Sequence, residues 1–286
     1  MQVAGDADAS DCVRAALGVL GIDHLLLGIH DASFPSEADE DVGRGSPCTR
    51  GGRAFLRFVR GLGFGGIQFG PQGETEPGNA SPYDAAAFSR STLSIALAPL
   101  VADSPWAGLL RAETLAALVD ARPPGARERV PHGYVAAAQR RALAEAFEGR
   151  AAGPGLEARF SSFRRRHAGW LAADARFEAL RERHGTADWR RWAAAAATGT
   201  MTETRGAARA RLLAYAFAQF LAHEQHAALR DEAARLGLAL FGDLQIGFSP
   251  RDAWRHQALF LPHHRLGAPP SRTNPEGQPW GYPVLD

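Results

Sequence analysis

The chain has 286 residues, 45% of them hydrophobic and 22% charged, with 32 basic and 31 acidic side chains and a formal net charge of +1. This composition fits one large globular domain or two small ones, and it gives no electrostatic case for nucleic acid or an anionic membrane. Only Cys12 and Cys48 are present, the N-terminus has no basic segment ahead of an apolar one, and no apolar run reaches the ~18 residues of a membrane span, so free thiols and a cytoplasmic setting are expected.

In chain order, "DASDCVRAALGVLGI" predicts a short helix capped by Asp8 or Ser10, with Val13, Leu17 and Leu20 on one face. "HLLLGI" (24–29) is a continuous apolar run that predicts a buried strand, and residues 31–52 read as loop. "RAFLRFVRGLG" (53–63) predicts an amphipathic helix with Phe55, Leu56, Val59 and Leu62 to one side. "FGGIQFG" (64–70) predicts a second strand, followed by a loop over 71–82. Residues 106–236 carry helical spacing: 133–149, a continuous 158–185, the alanine run 193–197, and a long helix over 205–237 stopped by Gly237. "LALFG" (238–242) predicts a third strand. Strands separated by helices favour parallel pairing through crossovers, the second of them enlarged by helical sequence.

Polar residues follow each predicted strand: His30, Asp31 and Ser33; Gln68 and Gln72 around Pro71; Asp243 and Gln245. In parallel α/β folds, loops at these strand ends gather the active site. Asp243 is the sharpest candidate, because a carboxylate there can hold sugar hydroxyls or orient a catalytic neighbour; capping the next turn is the structural alternative. Tyr83 in "SPY" and Trp280 in "GQPWG" sit in predicted loops, where a ring either stacks on the C–H face of a sugar or pins the loop. Trp170, Trp189 and Trp192 fall in helical patterns that predict packing roles. His223 with His226, and His263 with His264, lack partners at metal-ligand spacing, so no metal is expected. Ser81 has no G-x-S-x-G elbow and the glycines of 51–66 lack G-K-[ST], so neither acyl-enzyme chemistry nor a nucleotide cofactor is supported.

Taken together, several stretches resemble the 4-alpha-glucanotransferases (amylomaltases or disproportionating enzymes) of glycoside hydrolase family 77. "LLLGIHDASFPS" looks like the family's first strand and S-L-P turn, and "GGIQFGPQGETEPGNASPYDAAAFSRSTLSIALAPL" like W-Q-x-L-P-L-x-P…S-P-Y…F-A-x-N-P-x-L-I-x-L. "FRRRHAGWLAADARFEALRERHGTADWRRW" is similar to the inserted helical region. "YAFAQFLAHEQHAALRDEAARLGLALFGDLQIGF" resembles Q-F-x-x-x-x-Q-W…G-D-x-P-I-Y-V, and "LGAPPSRTNPEGQPWGYP" resembles the loop G-x-P-P-D-x-F-S-x-x-G-Q-x-W-G-N-P.

The resemblance implies an α/β fold: a partial (β/α)8 TIM-type barrel of about the first three βα units, with a large helical insertion between strands 2 and 3. It divides the chain into 1–104 (first strands and loops), 105–204 (insertion) and 205–286 (long helix, third strand and glucan loop). It implies transfer of α-1,4-glucan segments, with a maltooligosaccharide or α-1,4-glucan as partner and no cofactor. Tyr83, Asp243, Gln278 and Trp280 become substrate-binding residues. This sequence departs from the pattern at Ile67-Gln68, Ser91-Thr92, Gln245-Ile246-Gly247-Phe248 and Ser271, and its R-x-D-H-F-R-G nucleophile strand and acid/base segment have no counterpart here. Retaining transfer needs two carboxylates about 5–5.5 Å apart. The resemblance therefore implies glucan contact without turnover by this chain alone and no catalytic residue within it. Such a chain is a front part, a carbohydrate-binding module, or half of a split enzyme. The apolar edge at 238–248 lacks the lysine or proline that blunts strands, so self-association or pairing with a C-terminal half is expected.

Overall fold

The computed structural model describes all residues except 1–5, 23, 77–80, 104, 127, 154 and 200–205. Part of the predicted 71–82 loop therefore lies outside the described residues. In chain order the elements are α1 (Asp6–Leu20), β1 (Leu26–Ile29), α2 (Arg50–Gly61), β2 (Gly66–Phe69), α3 (Ala98–Ala102), α4 (Ala112–Asp120), α5 (His132–Gly149), α6 (Leu156–Arg166), α7 (Ala168–His184), α8 (Ala194–Ala197), α9 (Gly206–Arg235), β3 (Ala239–Phe241), α10 (Pro250–Arg255), β4 (Phe260–Ala268) and β5 (Gln278–Leu285). The chain divides into two compact units, and each draws on three separate stretches of sequence.

The first unit comprises Met1–Gln72, Thr92–Glu157 and Leu221–Asp243. Its sheet has the order β1-β2-β3 with both pairings parallel: Leu26 opposite Gly66, and Gly66 opposite Ala239. Alternate residues of a strand face opposite ways. Leu27, Ile29, Ile67, Phe69 and Leu240 join a core with Leu56, Val59, Leu229 and Leu238. Each side chain fully buried there contributes roughly 1.5–3 kcal/mol. Leu26, Gly28, Gln68, Ala239 and Phe241 alternate with them and are exposed, so the first strand, expected to be buried, is covered on one face only. The amphipathic helix forms as expected, but α2 starts three residues early, because Thr49 Oγ1 accepts the Gly52 N–H and caps its first turn. The caps expected for the first helix are corrected: α1 starts at Asp6, so Asp8 and Ser10 lie inside it.

The second unit comprises Gly73–Ser91, Ala158–Phe220 and Leu244–Asp286. Phe177, Trp192 and Trp254 form its aromatic centre, with ring centroids 5.2, 5.7 and 6.1 Å apart. A second cluster joins Phe160, Phe217 and Phe220. The predicted continuous helix over 158–185 is two helices. His167 leaves helical geometry at φ −104°, ψ 14°, and its Nδ1 accepts from Trp170 Nε1 at 3.2 Å. Apolar spacing continues on both sides of the break, which is why periodicity does not reveal it.

The stretch "LGAPPSRTNPEGQPWGYP" (266–283), read from sequence as a loop, lies for the most part on or between the strands of the antiparallel ribbon β4–β5, with 269–277 as the connection. Trp280 is therefore on a strand, which corrects its loop assignment. Pro262, Gly267, Pro279 and Gly281 sit where the ladder shifts register, between Leu261 and Arg265 and between Leu266 and Gly267, while Pro269, Pro270, Pro275 and Gly277 lie in the connection between the strands.

Candidate functional site

Tyr83, Gln278 and Trp280 all belong to the second unit, whereas Asp243 belongs to the first. Asp243 is exposed, two residues beyond β3. Gln278 opens β5 opposite Ala268. The Tyr83 and Trp280 side chains are 43% and 40% exposed, enough for a ligand to reach both rings.

Tyr83 is placed by its backbone. Its carbonyl accepts the Gly247 N–H at 3.2 Å, and two residues on, the Ala85 carbonyl accepts from Gln245 Nε2 at 3.0 Å. Gln245 and Gly247, in the same unit, thus hold the "SPY" turn. The same close approach brings in Tyr282: a Cβ on Gly247 would lie 2.6 Å from Tyr282 Cδ2 and 2.9 Å from the Tyr83 oxygen. Tyr282 in turn lies 6.1 Å from Trp280, centroid to centroid, at an angle of 38°. Tyr83, Gly247, Tyr282 and Trp280 therefore form a connected chain of contacts, with two broadly exposed rings at its ends.

The second unit also holds a buried polar network that the sequence does not reveal. Arg251, 3% exposed, donates to the Tyr215 hydroxyl and, at 3.1 Å, to Glu178 Oε2. Tyr215 Oη donates to Ser89 Oγ at 2.7 Å, and Ser89 donates to Asp174 Oδ2 at 2.6 Å. Arg181 pairs with both Glu178 and Glu76. Burial pushes the Asp174 and Glu76 carboxyls up from their ordinary values, with Arg251 pulling against it. Burial alone would lower the Arg251 pKa, but the Tyr215 oxygen, Glu178 and Asp174 outweigh it and keep the guanidinium charged. Asp252 accepts the Ala87 N–H at 3.2 Å while completing the Ser249–Asp252 capping box of α10. The readable signal was S-P-R-D, a capping box with proline at the first helical position; nothing in it marks Arg251 as buried.

In the first unit, Asp31 accepts from Gln72 Nε2 at 3.0 and 3.2 Å and from Ser94 Oγ at 2.8 Å. The residues after the first two strands thus meet, as their positions suggested, but Asp31 is only 8% exposed and these bonds occupy it. The two glutamines of the Q-F-x-x-x-x-Q stretch are also buried and act on backbone. Gln219 spans the N–H and C=O of Arg90, and Gln225 spans those of Ala96, all four bonds at 2.8–2.9 Å. Among the described residues, no three His, Cys, Asp or Glu side chains gather as a metal site, and no helix is long and apolar enough to cross a membrane. Neither Cys12 nor Cys48 forms a disulfide.

The 4-alpha-glucanotransferase family model matches residues 29–286. The chain is 33% identical over 270 residues to the 4-alpha-glucanotransferase of Thermus thermophilus, covering 90% of this chain and 50% of that protein. It is 28% identical over 280 residues to the 4-alpha-glucanotransferase of a Synechocystis strain, covering 90% and 51%. An amylomaltase from Streptococcus agalactiae, solved in complex with acarbose, superposes with a TM-score of 0.80 at 21% identity, over 92% of this chain and 53% of that one. The chain spans about half the length of the curated relatives it matches. The family match, the order of motifs and the α/β architecture agree: this chain belongs to the 4-alpha-glucanotransferase family, glycoside hydrolase family 77.

Proposed function

We propose that this chain grips an α-1,4-glucan, as a contributor to 4-alpha-glucanotransferase chemistry in maltooligosaccharide, starch or glycogen metabolism. The observation that carries this reading is the linked surface of Tyr83 and Trp280, two rings about two-fifths exposed and tied together through Gly247 and Tyr282. Sugar rings present flat C–H faces to such aromatics. On the second unit, Tyr83 and Trp280 stack on the glucan and Gln278 offers an amide to its hydroxyls; on the first unit, the exposed Asp243 is a further substrate-binding carboxylate. No bond-breaking step is assigned to these residues. In this reading β1–β3 are the first strands of a (β/α)8 barrel, and the helices between β2 and β3 are an insertion.

Maltoheptaose titrated by calorimetry should give a binding isotherm that weakens by about five- to tenfold in Trp280→Ala and Tyr83→Ala, the range of a lost aromatic contact. Binding indifferent to both substitutions sinks the assignment. Incubation with maltotriose should release no glucose from this chain alone.

A second reading, one half of a two-chain transferase, is favoured by the exposed sheet face of Leu26, Gln68 and Phe241, with Leu26 39% and Phe241 44% accessible. Size-exclusion chromatography with light scattering tests it: a monomer that also ignores a chain carrying the remaining half of the family sequence would exclude it.

A further inference from the structure

Two departures from the family pattern meet at one point. Where P-I-Y-V carries tyrosine, this chain has Gly247; where W-G-N-P carries asparagine, it has Tyr282. The Tyr282 ring lies against Gly247, so close that a Cβ there would fall 2.6 Å from Cδ2 and 2.7 Å from Cγ. Only glycine permits that approach. The chain has thus lost a ring at position 247 and placed another directly over it, 35 positions later in sequence.

The ribbon is built to present that ring. Leu266 pairs with Tyr282 and Gly267 with Pro279, so Trp280 and Gly281 are extra residues on β5. Gly281 takes up the distortion at φ +78°, in the left-handed region that favours glycine. A bulge of this kind re-aims the side chains around it. Here it leaves Trp280 and Tyr282 6.1 Å apart and tilted by 38°, a bent pair rather than a stacked one. Successive glucose units of an α-1,4-glucan are also turned relative to one another, so a bent pair of rings can meet two of them.

We infer that Tyr282 is a third stacking ring, held against Gly247, that extends the glucan contact begun by Trp280 and so favours longer chains. This inference rests on the glucan-binding reading above and names a specificity-determining residue within it.

The test is a substitution cycle in the full chain: Tyr282→Asn, Gly247→Tyr, and both together, which restores the family's residues at both positions. Dissociation constants for maltotriose and maltoheptaose are measured by calorimetry, with unfolding midpoints alongside. Tyr282→Asn should weaken maltoheptaose by about fivefold, the worth of one aromatic contact, and maltotriose by less. Gly247→Tyr alone should weaken both, because the new ring collides with the old. The double variant should recover affinity over Gly247→Tyr. Equal effects on both sugars, or a double variant no better than Gly247→Tyr, overturns the inference. Tyr282→Phe keeps the ring and should bind like the parent chain; if Tyr282→Asn does not fold, weakened binding by Tyr282→Phe overturns it instead. A parent chain that binds neither sugar defeats the glucan reading itself, and this inference with it. A parent that binds while the Tyr282 variants match it defeats only the inference.

Discussion

The two units hold their charged groups differently. In the first, the buried Asp31 and Glu40 accept from amide, hydroxyl and backbone N–H donors, while nearer to solvent Glu145 accepts from Arg111 at 3.0 and 3.1 Å and from Thr114 at 2.7 Å, and its pKa falls from 4.5 to about 2. In the second, Asp174 and Glu76 are enclosed and pushed upward, around a guanidinium that is itself buried. The first unit therefore holds Asp31 and Glu40 without a buried arginine and places the Arg111–Glu145 pair at its margin. The second gathers carboxylates around the buried Arg251, and its network fastens Glu76, Ala87 and Ser89 on either side of Tyr83. A buried ionic network is weak evidence for stability, but breaking it from one side is costly.

That contrast is sharpest at Arg251. Arg251→Met leaves Glu178, Tyr215 and their neighbours without their cation, and a loss of about 3–5 kcal/mol is expected by urea denaturation. A loss below about 1 kcal/mol would mean that the network relaxes or admits water, and the contrast would fail. Next comes the apolar counterpart, Leu56→Ala in the first unit, where Leu56 is 0% exposed. Its expected cost is about 2–5 kcal/mol, set by how far the cavity collapses. Native-state amide exchange should show Leu56→Ala loosening α2, β1 and β2 first, and Arg251→Met loosening α7 and α10 first; the reverse order would refute the division.

The pH response should differ in sign. Glu145 has a depressed folded pKa, so its contribution is complete above 4.5 and is lost as pH falls toward about 2. Asp174 and Glu76 have raised folded pKa values, so their contribution is complete below their ordinary 3.8 and 4.5 and is lost as pH rises through the folded values. Amide exchange, corrected for intrinsic rates, should show α7 tightening on mild acidification and the α4–α5 pair loosening only in stronger acid. Parallel behaviour of the two would contradict these assignments. The smallest effect belongs to Arg111→Ala. With 74% of its side chain exposed, Arg111 should leave the unfolding midpoint nearly unchanged, while the Glu145 carboxyl returns toward 4.5 in an NMR titration.

The same contrast explains what the sequence reveals. The apolar runs at 24–29 and 238–242 mark β1 and β3 and predict burial, but only one face of each joins the core, because the alternating Leu26 and Phe241 stay exposed. The β4–β5 ribbon is different: Pro262, Gly267, Pro279, Gly281 and Pro283 break its alternation, and they are tolerated because the ladder is irregular at those places. Asp31 and Gln72 were visible as polar residues after strands, but Ser94, 63 positions from Asp31, was not. Arg251 reads as an ordinary residue of a helical first turn; its burial depends on Phe177 and Tyr215, whose rings lie 5.3 and 5.2 Å from it. Tyr83 and Trp280 were legible as aromatics among turn residues, whereas Tyr282 gains meaning only from its contact with Gly247.

If glucan binds on the second unit, at the surface joining Tyr83 to Trp280, amide exchange measured with and without saturating maltoheptaose should slow in residues 81–88, 244–248 and 278–285 and stay unchanged in α2 and α5. Protection confined to the first unit, or a sugar that binds without slowing any of those three segments, would contradict that assignment.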